Sequence, residues 1–333
     1  MMFAKISLSR RLLCAAVVLG CLAQAVPAVQ IETVPVGNVN NLPDSNGYGA
    51  VDYPFHIGTY EVTAGQYTAF LNAVAATDPY GLYDPNMALL SERGCNIQRD
   101  GSAGTYTYSV ADGWANRPVN YIGWGDAARF ANWLHNGQPQ GTLGPETTED
   151  GAYELFGATS DAALLAVTRQ PDWTWAITSE DEWYKAAYHK NDGETGHYYN
   201  YPTAGDDLPS NNLVTPDPGN NANFNQGGYT LGSPYYRTEA GAFDNSASPY
   251  STFDQGGNIL EWNEAVIGSH RGMRGGSYNM YDYFMTVTVR NYYYSPSLGQ
   301  DHTGFRVSTT IPEPASVVMI TLGSLAVLGK RRS

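Results

Sequence analysis

Two glycine-flanked stretches hold the residue types best suited to chemistry. In DQGGNILE, Asp254 and Glu261 bracket a turn containing Gly256 and Gly257. Calcium takes about six to eight oxygens from carboxylates and backbone carbonyls in a flexible geometry. A glycine turn can bring carbonyls, such as those of Gly257 and Ile259, to one side of such an ion. The same two acids can instead cap the turn by accepting from backbone amides, with Asn258 left-handed. The second stretch, RGGSYNMYDYFMTVTVRNYYYSP (Arg274 to Pro296), combines Met280 and Met285 with six tyrosines. Methionine is more often core filler than a functional group. Tyr278, Tyr281, Tyr283, Tyr292, Tyr293 and Tyr294 offer flat rings with hydrogen-bonding tips, which suit sugars and peptides. The alternation in YDYFMTVTVRNYYY equally describes a half-buried strand.

Other reactive residues are sparse. His56, His135, His189, His197, His270 and His302 show neither ligand spacing nor a facial-triad pattern. His135 and His189 fall at the ends of predicted helices, where a cation meets the dipole favourably. Cys14 and Cys21 lie near the start of the chain, so Cys95 stands alone in the body and no internal disulfide is available there. Without a paired base, Cys95 reads as a small buried residue. Arg274, Arg290 and Arg306 are expected to pair with local acids and to serve structure.

Three helices can position these groups. Thr63 and Gln66 have capping-box spacing before the stripe Tyr67, Phe70, Leu71 and Val74. WGDAARFANWLHNG sets Ala127, Phe130, Ala131 and Leu134 on one face and stops at Gly137. Ser179 and Glu182 open a third helix that presents Trp183, Ala186 and Ala187. Short β-prone pieces surround them: YPFHIGTYEVT, WTWAIT and TGFRVSTT. Residues 211–251 have no period, and a loop that long needs something to pin it, such as a metal. No linker or repeat divides residues 30–310, which read as one mixed α/β (α+β) domain.

Composition narrows the partners. The 333 residues include 36 Gly, 19 Pro and 25 Tyr but only 15% charged residues, a loop-rich balance. Net charge is −14, and the chain ends hold several of the few basic residues, so the body is more acidic still. Such a body repels phosphate backbones, which argues against nucleic acid and favours divalent cations.

Both ends look like targeting segments. Residues 1–28 have a basic start (Lys5, Arg10, Arg11), an apolar run and small residues suited to cleavage after Ala25 or Ala28, as in a secretory signal peptide. VLGC (Val18 to Cys21) also admits a lipid-modified Cys21. At the far end, Pro312-Glu313-Pro314, an apolar run from Ala315 to Gly329 and Lys330-Arg331-Arg332 resemble the PEP-CTERM sorting signal of Gram-negative bacteria. That resemblance implies transient membrane anchoring by residues 311–333, cutting by an exosortase, and delivery to the envelope, outer surface or extracellular exopolysaccharide matrix. A short C-terminal anchor remains the plainer alternative.

Read in order, YEVTAGQYTAFLNAV, RPVNYIGWGDAARFANWL, ITSEDEWYKAAY, FDQGGNILEW, RGMRGGSY and GFRVS resemble the sulfatase-modifying factor family, that of the formylglycine-generating enzyme, from about Ile31 to Ser308. The resemblance implies a C-type-lectin-like fold with little regular secondary structure and long loops held by calcium. It implies calcium ligands at Asp254, the Gly257 and Ile259 carbonyls and Glu261, and a second site using Asn223 and the Phe224 carbonyl, whose other ligands do not align. Oxidising members bind copper(I) through two cysteines shortly after RGGS. Here Met280 stands at the first position and Met285 at or near the second, so no copper is expected. Another branch works with a partner non-haem iron oxygenase. The family's concave face would be lined here by Ser277, Tyr278, Tyr281, Tyr283, Tyr292 and Tyr294. The resulting expectation is an exported, calcium-stabilised, non-catalytic protein that binds a peptide or glycan. The alternatives are an oxidoreductase acting through other residues or a partner oxygenase, and a matrix protein with no ligand.

Overall fold

Local capping places the helices where the sequence predicts them. The computed structural model describes residues 28–310, so all but the last residue of the expected signal peptide (1–28) and the whole expected sorting segment (311–333) lie outside the described residues. In α1 (Ala64–Val74) the Thr63 hydroxyl accepts from the Gln66 amide, and Gln66 Oε1 accepts from the Thr63 amide at 2.9 Å. Helix α2 (Trp124–His135) opens with Asp126 accepting from the Gly123 amide at 2.9 Å. A six-residue helix, α3 (Asp161–Ala166), was not expected. Helix α4 (Glu180–Tyr188) carries the Ser179–Glu182 capping box. The apolar faces of α1 and α2 meet through Phe70 and Phe130, whose rings lie 5.3 Å apart, and Phe130 packs on Phe305.

Small sheets frame this core. Strands β1 (Thr33–Val36) and β2 (Phe55–Gly58) lead the chain. A hairpin of β3 (Ile97–Asp100) and β4 (Thr107–Val110) follows. Next come β5 (Trp175–Ile177), β6 (Leu260–Ile267), β7 (His270–Arg274), β8 (Thr303–Gly304) and β9 (Val307–Thr309). One antiparallel sheet has the order β1-β2-β9-β5, with Ser308 opposite both Ile57 and Ala176. The other has the order β7-β6-β8, in which β6 and β8 are parallel. Among the described residues no helix is long and apolar enough to cross a membrane.

The aperiodic loop 211–251 is pinned by side chains. Asp217 accepts from the amides of Gly219 and Asn245, from Asn221 Nδ2 and from the Ser246 hydroxyl. Burial pushes its carboxyl upward, but these hydrogen bonds prevail and hold it below the usual range. Buried Arg237 donates to the carbonyls of Arg93, Gly94 and Asp301. Asn258 Oδ1 accepts from the Thr238 amide and hydroxyl.

Two expectations are corrected. The tyrosine-rich run is not a strand: Asp282–Met285 forms a turn of 3₁₀ helix, and Asn291 alone pairs with Met273. Its carbonyls serve side chains instead of a ladder, with Tyr188 donating to Met285 and Arg274 to Val289. His189 is no surface cation at a helix end. It is buried between the Tyr250 hydroxyl and the Thr195 carbonyl, and burial lowers its pKa.

Candidate functional site

The two glycine-flanked stretches meet. After β7 the chain turns at Gly275 (φ 99°) and Gly276 (φ 71°), conformations open to glycine. A Cβ on Gly275 would stand 2.6 Å from the Gln255 carbonyl. The Gly257 amide donates to the Gly275 carbonyl at 2.8 Å, and the Tyr278 amide to the Asn258 carbonyl at 3.2 Å. The arginines take the structural role expected of them. Arg274 and Arg290 both pair with Glu180, and Arg306 pairs with Glu261.

The residues expected on the concave face divide into two sets. Ser277 and Tyr278 are fully buried and offer no surface. Ser277 donates to Asn279, and Tyr278 donates to Asp301 at 2.7 Å. Burial, reinforced by Asp301, drives the Tyr278 phenol pKa up, so it stays protonated. Asp301 also accepts from Arg93 at 2.9 Å and lies 2.5 Å from His302 Nδ1. These bonds overcome burial and hold its carboxyl well below the usual range. Tyr294 is partly buried, its hydroxyl 2.8 Å from His302 Nε2. Tyr281 (61% exposed), Tyr283 (62%), Tyr293 (67%) and Tyr292 (38%) face solvent.

Sequence reasoning missed an aromatic cluster that packs on buried Tyr278. Tyr236 packs on Tyr278 at 5.7 Å and edge-on to Tyr229 at 5.3 Å, and the Arg93 guanidinium covers Tyr236 at 5.2 Å. Tyr229 and Tyr236 lie in the aperiodic loop, so no periodicity could mark them. The two methionines pack in different surroundings. Met285 is buried with Tyr201, Ala222 and Phe224, while Met280 packs partly buried against the main core. Cys95 is buried, which raises its thiol pKa.

The calcium ligand set fits a cation only in part. Asp254 (φ 59°) and Asn258 (φ 54°) are both left-handed, and Asp254 accepts from the Gly241 amide at 2.8 Å. Both Glu261 oxygens are engaged: Arg306 reaches them at 2.6 and 2.8 Å, and Trp183 Nε1 donates at 2.7 Å. Its charge is already neutralised, which does not suit a calcium ligand. Two buried oxygens flanking Asn258 have no partner, Asn223 Oδ1 and Glu61 Oε2. Burial, then Asp254, raises the Glu61 pKa, and burial pushes Asp254 up to about 6. These orphaned acceptors suit a hard cation. The Phe224 carbonyl instead accepts from Asn211 and Thr230. Among the described residues no three His, Cys, Asp or Glu side chains are grouped to hold a metal.

A model of the Sulfatase-modifying factor enzyme 1-like domain matches residues 34–311. The chain belongs to this family. Its few helices, small sheets and long loops form the mixed α/β, C-type-lectin-like fold of such domains. Variable protein 1 of Treponema denticola superposes with a TM-score of 0.51 at 18% identity, covering 84% of this chain and 95% of that one. CarF gives 0.49 at 19% identity over 85% and 99% of the two chains. PvdO from Pseudomonas aeruginosa gives 0.44 at 17% over 84% and 92%. No curated protein sequence matches the chain.

Proposed function

We propose that this sulfatase-modifying-factor-like protein is a non-catalytic recognition module that binds a peptide or glycan on the face formed by Tyr281, Tyr283, Tyr292 and Tyr293. One observation carries the reading. Where the resemblance calls for a thiolate pair, the chain has Met280 and a core-buried Met285, while the neighbouring tyrosines stand exposed. Tyrosine rings supply contact area at low entropic cost. Glycan and peptide arrays test the idea: hits that vanish in Tyr281→Ala/Tyr283→Ala support it, and an empty array leaves a ligand-free matrix protein. Copper-dependent oxygen consumption with a cysteine-containing peptide would overturn it in favour of an enzyme.

The location and cofactor belong to the same proposal. The two terminal segments support export, transient anchoring and exosortase processing, with the body released to the envelope or matrix. Fractionation of cells expressing the full chain checks this, and a body retained in the cytoplasm sinks it. Calcium is proposed as a structural cofactor beside Asn223 and Asp254, supported by the orphaned Asn223 Oδ1. A ligand that binds only the folded state raises stability by mass action. A melting temperature unmoved by excess chelator would remove calcium from the proposal.

A further inference from the structure

Apart from the four exposed tyrosines, one chain of side chains joins an acid, an imidazole and a phenol. Asp301 Oδ1 lies 2.5 Å from His302 Nδ1, and His302 Nε2 lies 2.8 Å from the Tyr294 hydroxyl. Asp301 Oδ2 accepts from Tyr278 at 2.7 Å and from Arg93 at 2.9 Å. These bonds overcome burial and keep Asp301 ionised, and an ionised carboxylate only accepts. His302 Nδ1 therefore carries a proton, which leaves Nε2 of the neutral ring to accept from Tyr294. Burial and then the Asp301 charge raise the Tyr294 phenol pKa, so the hydroxyl holds its proton at neutral pH. His302 is buried, and Tyr294 packs partly buried against the main core.

This arrangement suits a coupled loss of an electron and a proton. Oxidation makes a phenol O–H strongly acidic, so the electron leaves most easily where a base already holds the hydrogen bond. Other hydrogen-bonded tyrosines have weaker bases. Tyr53 donates to Glu182, Tyr153 to Glu264, Tyr184 to Asp44 and Tyr278 to Asp301, and carboxylates are weaker bases than imidazole. Glu182 and Glu264 also share Arg169. Tyr250 does meet a ring nitrogen, His189 Nδ1 at 2.8 Å, but His189 Nε2 faces the Thr195 carbonyl at 3.1 Å and Asp192 is 4.0 Å away. An imidazolium formed there is buried without a close counter-ion, whereas one formed at His302 sits against Asp301. Tyr281, Tyr283 and Tyr293 are more than half exposed and have water as their proton acceptor.

We propose that Tyr294, backed by His302 and Asp301, is a site of one-electron oxidative modification, its oxidant a high-valent metal centre of the haem-peroxidase class. The oxidant takes one electron from the phenol and is itself reduced by one. The hydroxyl proton moves to His302 Nε2, and Tyr294 is left as a neutral phenoxyl. The imidazolium so formed keeps its Nδ1 bond to Asp301. Tyr294 is the reacting residue, while His302 receives the proton and Asp301 positions His302. None of this depends on what the tyrosine face binds.

Photogenerated tris(bipyridine)ruthenium(III), a one-electron oxidant that needs no docking site, tests this on the purified protein, with the radical read by freeze-quench electron paramagnetic resonance. Tyr294→Phe, which keeps the ring in place, should lose most of the early tyrosyl signal. His302→Gln should slow its formation about tenfold or more. Three results overturn the inference: an undiminished signal in Tyr294→Phe, a signal lost in Tyr293→Phe instead, or parent-like formation in a natively folded His302→Gln. Should His302→Gln fail to fold, the two phenylalanine variants still decide, because exposure and the relay rank Tyr293 and Tyr294 in opposite order.

Discussion

The Asp254–Glu261 turn and the Ser277–Tyr294 run lie against each other but treat their polar groups in opposite ways. In the turn, Asp254, Asn258 and Glu261 are tied inward to Gly241, Thr238 and Arg306. The run mixes inward and outward residues: Met285 and Asn291 are buried and Arg290 pairs with Glu180. Tyr278 reaches Asp301, whereas Tyr281 and Tyr283 stand more than half exposed. The lesson concerns burial. An ion pair bonded inside the protein, such as Arg306 with Glu261, holds the fold, while a recognition face keeps side chains whose burial awaits a partner.

The strongest test of that contrast is Arg306→Met. It leaves Glu261 buried and unpaired, and should cost about 3–5 kcal/mol in urea denaturation. A loss below about 1 kcal/mol would mean that another cation carries Glu261, and the turn would no longer count as closed. Asp126→Asn offers a control outside both regions. Burial lifts this carboxyl from 3.8 to about 7, so the fold favours the neutral form. Its contribution is fully present below about pH 4 and is lost as pH rises through about 7. The variant should therefore match the parent near pH 4 and melt higher than it at pH 8, by about 2 kcal/mol after allowance for partial exposure. Tyr278→Phe should cost about 1–2 kcal/mol through the lost bond to Asp301. Tyr281→Ala should change stability by less than about 0.5 kcal/mol while reducing ligand binding. Comparable losses for these two tyrosines would erase the division drawn within the run.

What the sequence disclosed follows the range of each signal. Thr63 with Gln66 and Ser179 with Glu182 act across one helical turn, so α1 and α4 were legible. Helix α3 has only DAALLA, too short for a stripe. Strand β6 escaped notice because Glu261 and Asn263 are polar yet buried, which breaks the alternation a half-exposed strand would show. The tyrosine run misled in the reverse direction, since an alternating pattern need not find a ladder partner. At the site, Asp254 and Glu261 were visible through their motif. Glu61 was not, because it joins Asn258 across 197 residues, and nothing near it in sequence announces that bond.

Strand β9 lies between β2 and β5, although it is the last strand of the described chain. The sheet therefore has a gap at its centre until residues 307–309 have been synthesised. Arg306, the partner of Glu261, arrives with them. A nascent chain that ends before Gly304 can form α1, α2 and α4 from local contacts but cannot join β2 to β5. Folding of this domain is thus held back until residues 301–310 have emerged, with long-range closure as its final step. A ribosome-stalled chain ending at residue 300 should remain protease-sensitive, and one with residues 301–310 outside the exit tunnel should not.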